Sequence, residues 1–200
     1  MRILEAEFTR SCVALEQFPQ DRGVEFAIVG RSNVGKSSLI NRLVQQKRLA
    51  HVSRTPGKTQ AVNFFDLHTT DRTLSPFRLV DLPGYGYARV SKSLRAQWGP
   101  LIQRYLQERR SLACVLFLID ARGSEPTDLT TFEWLRGLNL HLIVVITKID
   151  KLGRGERRAC EEAVRETFSL TDADPVIQWS SVTGEGRDRL WQAIRERVRT

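Results

Sequence analysis

"VEFAIVGRSNVGKSSLI", residues 24–40, decides the fold. Its first seven residues are mostly apolar and read as a strand. Its last five open a helix, "KSSLINRLVQQ", on which Leu39, Ile40, Leu43 and Val44 share one face. The turn between them, Gly30 to Ser37, fits G-x-x-x-x-G-K-[ST], and the strand–loop–helix setting is the one that pattern demands. Gly30 and Gly35 permit tight backbone geometry, so the N–H groups of Arg31, Ser32, Asn33 and Val34 can turn toward phosphate oxygens. The start of the helix adds its positive end. Lys36 then reaches the β- and γ-phosphates, and Ser37 offers a hydroxyl to Mg2+. A fortuitous glycine turn is the plainer alternative, and the context argues against it.

Outward from this stretch, apolar runs alternate with amphipathic ones, which argues for β/α units around a largely parallel sheet. "AVNFFDL" and "FRLVDL" read as a strand pair around "HTTDRTLSP", and "ACVLFLID" and "HLIVVITK" as strands covered on both faces. "PTDLTTFEWLRGL" and "GERRACEEAVRETFSL" read as helices, "PVIQWSS" as the last strand, and "GRDRLWQAIRERVRT" as the last helix. "SKSLRAQWGPLIQRYLQERR" is helical, with a bend or a second helix start expected at Pro100. "KRLAHVSRTPGKTQ" shows no period and reads as a loop.

The length of 200 residues suits one domain. We expect an N-terminal extension, residues 1–23, packed on a nucleotide-binding domain of residues 24–200. No apolar run approaches membrane-spanning length, and "MRILEAEFTR" carries charge where a secretory leader is apolar. Cys12, Cys114 and Cys160 form no C-x-x-C pair, so reduced thiols in a cytoplasmic protein are expected. His51, His68 and His141 have no ligand spacing, which argues against zinc. A net charge of +8 attracts polyanions, although it also suits a merely solubilising surface.

Three further strand ends carry chemistry. Asp81 closes "FRLV" and Gly84 lies three positions on: the acid can hold a magnesium-bound water and the Gly84 N–H can bond a γ-phosphate. "TKID", Thr147 to Asp150, follows another apolar run. A carboxylate at Asp150 accepts from both N1–H and the exocyclic amine of guanine, a donor pair adenine lacks. The Lys148 stem can cover the base while its ammonium supports the phosphate loop. "SSVTG" completes the set, with the Ser181 N–H aimed at the guanine carbonyl. Each motif alone arises by chance; their order, each after its own strand, is the signal. A second hydroxyl ligand for Mg2+ can come from Ser53, Thr55 or Thr59.

With "GRSNVGKSSLIN", "TPGKTQ", "DLPGYGYARVSK", Trp98, "TKID" and "WSS" in place, the chain resembles the EngB group of bacterial ribosome-biogenesis GTP-binding proteins, within the translation-factor-related small GTPases. The resemblance implies a Ras-like P-loop GTPase domain, an α/β/α sandwich around a mostly parallel six-stranded sheet with one antiparallel strand. It implies GTP or GDP contacts from Gly30–Ser37, from Gly57, Lys58, Thr59, Gln60 and Ala61, and from Asp81, Leu82, Pro83 and Gly84. Further contacts follow from Thr147, Lys148, Ile149 and Asp150, and from Trp179, Ser180 and Ser181. It favours Thr59 over Ser53 and Thr55, which makes Ser37, Thr59 and Asp81 the metal set. It also implies association with the large ribosomal subunit and a link to cell division and septation. Thr147 stands where GTPases in general carry Asn, and Ser181 where they carry Ala.

Tyr85 follows Gly84, where many GTPases place a water-orienting Gln. Without that amide, basal hydrolysis at or below the order of 10⁻⁴ s⁻¹ is expected. Asn33 either ligates an activating K+ or merely stabilises the turn; the catalytic set is therefore Lys36, Thr59, Gly84 and Asn33. Arg89, Lys92, Arg95 and Arg104, and on the last helix Arg187, Arg189, Arg195, Arg197 and Arg199, suit ribosomal RNA, although charge on a helix is commonly just a solvated face. A cytoplasmic monomer without membrane contact is expected. The competing readings are a small-substrate phosphotransferase or ATPase, for which the inserts are missing, and an inactive GTP-holding scaffold.

Overall fold

The computed structural model describes residues 2–21, 23–51, 61–74, 76–85 and 92–199, with the side chains of 92–98 and 199 excepted. Among these residues seven strands form one sheet: β1 (Ile3–Cys12), β2 (Val24–Gly30), β3 (Val62–Thr69), β4 (Phe77–Asp81), β5 (Leu112–Asp120), β6 (Leu142–Thr147) and β7 (Val176–Gln178). Five α-helices connect or cover them: α1 (Lys36–Val44), α2 (Lys92–Glu108), α3 (Pro126–Gly137), α4 (Arg154–Thr167) and α5 (Arg187–Arg199).

The spatial order is β1-β3-β4-β2-β5-β6-β7. β3 pairs antiparallel with both β1 and β4, while every other pairing is parallel, so β3 alone runs against the sheet. The α/β class and the single reversed strand are as expected. The seventh strand is new: "ILEAEFTRSC", read from sequence only as packing, extends the edge through β3.

β2 alternates Phe26 and Ile28 into one core cluster, Ala27 and Val29 into the other. The first cluster is closed by Leu39 and Leu43 of α1 and by Leu190, Trp191 and Ile194 of α5. The second is closed by Tyr105 of α2, Phe132 of α3 and Val164 of α4. A sheet covered on both faces needs continuous apolar strands, which is why β2, β5 and β6 read as they do. Helix α2 continues through Pro100 instead of restarting there.

β2 lies between β4 and β5, so the chain leaves it in one direction toward β3 and β4 and in the other toward β5, β6 and β7. The crevice at such a switch point, beyond the carboxyl ends of the strands, is where open α/β sheets take ligands. The loop 30–37 lies there.

Candidate functional site

The loop is shaped by backbone demands. A side chain at Gly30 would meet Val34 Cγ1 at 2.8 Å and Leu118 Cβ at 3.0 Å, so the chain passes there only as glycine. Gly35 takes φ 115° and Asn33 φ 64°, both left-handed. Helix α1 starts at Lys36 with no side-chain cap, which leaves its first N–H groups directed at the loop. The buried Lys36 ammonium folds onto the loop, donating to the carbonyls of Gly30 (3.1 Å) and Arg31 (3.2 Å).

From the adjacent strand, Asp81 is 3% exposed and one of its oxygens, Oδ1, has no protein partner. Burial pushes its carboxyl up from the ordinary 3.8 to about 6, against the pull of the Lys36 ammonium and the Ser37 hydroxyl. An acid that holds its proton more tightly folded than unfolded destabilises the fold once ionised. The nucleotide-free protein is therefore expected to lose stability as pH rises from about 4 to about 6 and to change little from this source above that. Thermal unfolding across that window checks the slope, which Asp81→Asn should flatten.

Gly84 lies directly on the phosphate loop: a side chain there would sit 2.8 Å from Lys36 Nζ and 2.9 Å from the Ser32 nitrogen. The Ser32 N–H donates to the Tyr85 carbonyl (3.1 Å), and Arg31 and Tyr85 form an isolated parallel bridge.

The other end of the site is built from β6 and β7. The Thr147 hydroxyl sits 2.8 Å from the Val34 carbonyl and 3.0 Å from that of Ile119, pinning the loop to the sheet. Lys148, at φ 61°, donates to the Asn33 carbonyl (2.7 Å) and to Asp120 Oδ2 (2.8 Å). The Ile149 N–H donates to the Trp179 carbonyl (3.2 Å), which joins the two strand ends. The buried Ser180 donates its hydroxyl to Asp150 Oδ1 (2.6 Å) while accepting from the N–H groups of Val182 and Thr183. The Trp179 indole donates to the Ser181 hydroxyl (2.8 Å).

Residues 30–37, 81–84, 147–150 and 179–181 are thus brought to one edge of the sheet. Gly57, Lys58, Thr59 and Gln60, with Ser53, Thr55 and Arg89, lie outside the described residues; Ala61 stands just before β3. Of the basic residues, Arg104 is paired with Glu108 (3.1 Å), Arg195 with Asp71 (3.9 Å), and Arg187 donates to the Leu43 carbonyl (3.0 Å). Sequence reading missed Asp120, whose carboxyl is held well below the usual range, despite burial, by its bonds to Arg122 and Lys148. The signal was present: Asp120 ends an apolar strand as Asp81 does.

An Asp-x-x-Gly turn laid on a lysine-bearing phosphate loop, with an acid-serine pair beyond the next strands, defines a P-loop GTPase. Residues 25–148 match the profile of the 50S ribosome-binding GTPase family. Over 192 residues the chain is 46% identical to the probable GTP-binding protein EngB of Clostridium beijerinckii, covering 95% of this chain and 93% of that protein. Against its namesake in Geobacillus kaustophilus the identity is 41% over 196 residues, with 97% of each covered. The chain belongs to the EngB family of GTP-binding proteins. Among solved structures, a crystal structure of a probable engB GTP-binding protein superimposes with a TM-score of 0.66 at 23% identity, over 88% of this chain and 99% of that one, a likeness of fold. A point variant of Aquifex aeolicus Era bound to GDP and aluminium fluoride gives 0.72 at 28% identity, over 86% of this chain and 56% of that one.

Proposed function

We propose that this protein binds and slowly hydrolyses GTP and acts as a nucleotide-gated assembly factor for the large ribosomal subunit. The observation that carries the reading is the pairing of two ends at one sheet edge: Lys36 and Gly84 at a phosphate end, Asp150 steadied by Ser180 at a base end. Gly30–Ser37, Asp81–Gly84, Thr147–Asp150 and Trp179–Ser181 line the nucleotide, together with Gly57–Ala61. The unpartnered, buried Oδ1 of Asp81 beside the Ser37 hydroxyl fits a hydrated divalent cation. We assign Mg2+ to Ser37 and Asp81, with Thr59 as the third protein ligand. When bound it neutralises charge on the β- and γ-phosphates, where Lys36 and the Gly84 N–H also act.

Tyr85 supports slow turnover, because its hydroxyl is spent on Asp128 (2.8 Å) and its ring stacks on Phe117. Acceleration then falls to the ribosomal partner or to K+ at Asn33, an exposed loop residue. Affinity for ribosomal RNA comes from the net charge of +8. No described helix is long and apolar enough to cross a membrane. The protein works as a cytoplasmic monomer, and its link to cell division and septation runs through ribosome supply.

One experiment tests this reading: co-sedimentation with 50S particles in GDP or a non-hydrolysable GTP analogue at increasing salt, with single-turnover hydrolysis in K+ or Na+ buffer. Binding is expected to favour the analogue and to weaken steeply with salt, and hydrolysis to rise with particles or K+. Nucleotide-independent, salt-insensitive binding overturns the gating and RNA readings.

A further inference from the structure

One buried carboxylate near the phosphate end has no part in the nucleotide chemistry. Asp128, in the first turn of α3, has a side chain only 1% exposed. Oδ2 accepts from the Glu125 N–H (2.8 Å), which an ordinary capping role explains. Capping does not explain its other two partners, which come from the two segments that meet at the phosphate end. Tyr85 donates its hydroxyl to Oδ1 (2.8 Å), and the Arg31 Nε lies 3.1 Å from Oδ2, an ion-pair distance without hydrogen-bond alignment. Arg31 is further held by Glu125 and by the Gly123 carbonyl (3.2 Å).

The junction is braced from several sides. The Tyr85 ring lies parallel to Phe117, at 10° and 6.4 Å. Its main chain is bridged to Arg31, and its carbonyl takes the Ser32 N–H. Burial first, and the Asp128 carboxylate next, hold the phenol far above its ordinary range, so it stays a donor. Asp128 therefore touches both the loop after β2 and the segment after β4, adding a side-chain tie to their main-chain contacts and to the Gly84–Lys36 approach.

We propose that Asp128 is a positioning residue for nucleotide turnover: by gripping the Tyr85 hydroxyl and the Arg31 guanidinium together, it holds the Asp81–Gly84 turn in register on the phosphate loop. Tyr85 accordingly acts through its anchorage to α3 and not on the attacking water. This rests on the GTPase reading and adds what stands in for the missing amide. The register matters because a γ-phosphate sensor works only when its N–H is already aimed.

Tyr85→Phe removes one hydroxyl and keeps the stacked ring. In single-turnover GTP hydrolysis its rate constant is expected to fall about tenfold, roughly the effect of one hydrogen bond to a charged group. GTP affinity, set by Lys36 and Asp150, should change less than about threefold. A merely structural loss would lower the active fraction, hence the amplitude, and leave the rate constant alone. Asp128→Ala, which removes the acceptor of both ties, should lower the rate constant at least as far, and the double variant no further than Asp128→Ala. Should Asp128→Ala fail to fold, Arg31→Lys paired with Tyr85→Phe tests the joint grip, with losses that do not multiply. A rate constant within about twofold of wild type in Tyr85→Phe, or losses that multiply, overturns the proposal. Failure of the wild type to turn over GTP at all overturns the functional reading instead, and this inference with it.

Discussion

Asp150→Asn is expected to move the preference of this protein from guanine toward xanthine nucleotides, with GDP affinity falling by about 10²–10⁴. The carboxylate can take both N1–H and the exocyclic amine of guanine, and charged hydrogen bonds contribute about 1.5–3 kcal/mol each. Losing both amounts to roughly 3–6 kcal/mol, which is the range stated. An amide presents one acceptor and one donor, so its N–H₂ faces the guanine amine donor to donor. Xanthine replaces that amine with a carbonyl and restores the match. The surrounding turn should tolerate the change, because Ser180 donates to Asp150 Oδ1 and an asparagine Oδ1 accepts the same bond. Titration calorimetry with GDP and XDP checks it, with unchanged thermal unfolding as the control. Equal GDP affinity in the variant would remove Asp150 from base recognition.

The candidate site was legible in the sequence where its parts are contiguous. The phosphate loop is a run of adjacent residues whose glycines, lysine and serine each have a backbone or charge reason to be there. "TKID" and Asp81–Gly84 are short for the same reason, and their order after apolar runs placed them at strand ends. Asp128 was not legible, because what distinguishes it is contact with Tyr85, 43 residues away, and with Arg31. Inside "PTDLTTFEWL" it looks like any first-turn acid. β1 escaped for a different reason. It is an edge strand with most residues exposed on both faces, and register shifts between Ile3 and Glu5 and between Phe8 and Arg10 break the period of two. Phe8 meets Phe65 edge-on at 5.7 Å yet remains half exposed, so no alternation survives to be read.

Glu25→Ala is expected to destabilise the folded protein by about 3–5 kcal/mol without touching nucleotide chemistry. Glu25 sits near the start of β2, five residues and about 16 Å from Gly30 at the other end of the strand. It is fully buried. Its carboxylate accepts from Arg78 (3.0 Å), from two nitrogens of Arg109 (2.6 and 3.0 Å) and from the Tyr105 hydroxyl (3.1 Å). One acid thus ties β2, β4 and the end of α2 together. Alanine leaves two largely buried guanidiniums and a buried phenol facing a cavity. The loss is limited because Arg78 retains Asp66 and the Gln20 carbonyl, and Arg109 retains Asp21 and the Pro19 carbonyl. Those acids are partly exposed and compensate weakly, which places the cost at the lower end of the range, about 3 kcal/mol. Against a total of about 5–15 kcal/mol for a domain, that is a substantial fraction. Urea unfolding should show a lower midpoint with an unchanged slope. Saturating GDP, at about 100 times its Kd, should return roughly 2.7 kcal/mol by linkage if the far end of β2 still binds. A midpoint shift equivalent to less than about 1 kcal/mol would mean that Asp66 and Asp21 can carry both arginines alone, and that Glu25 is dispensable to the sheet.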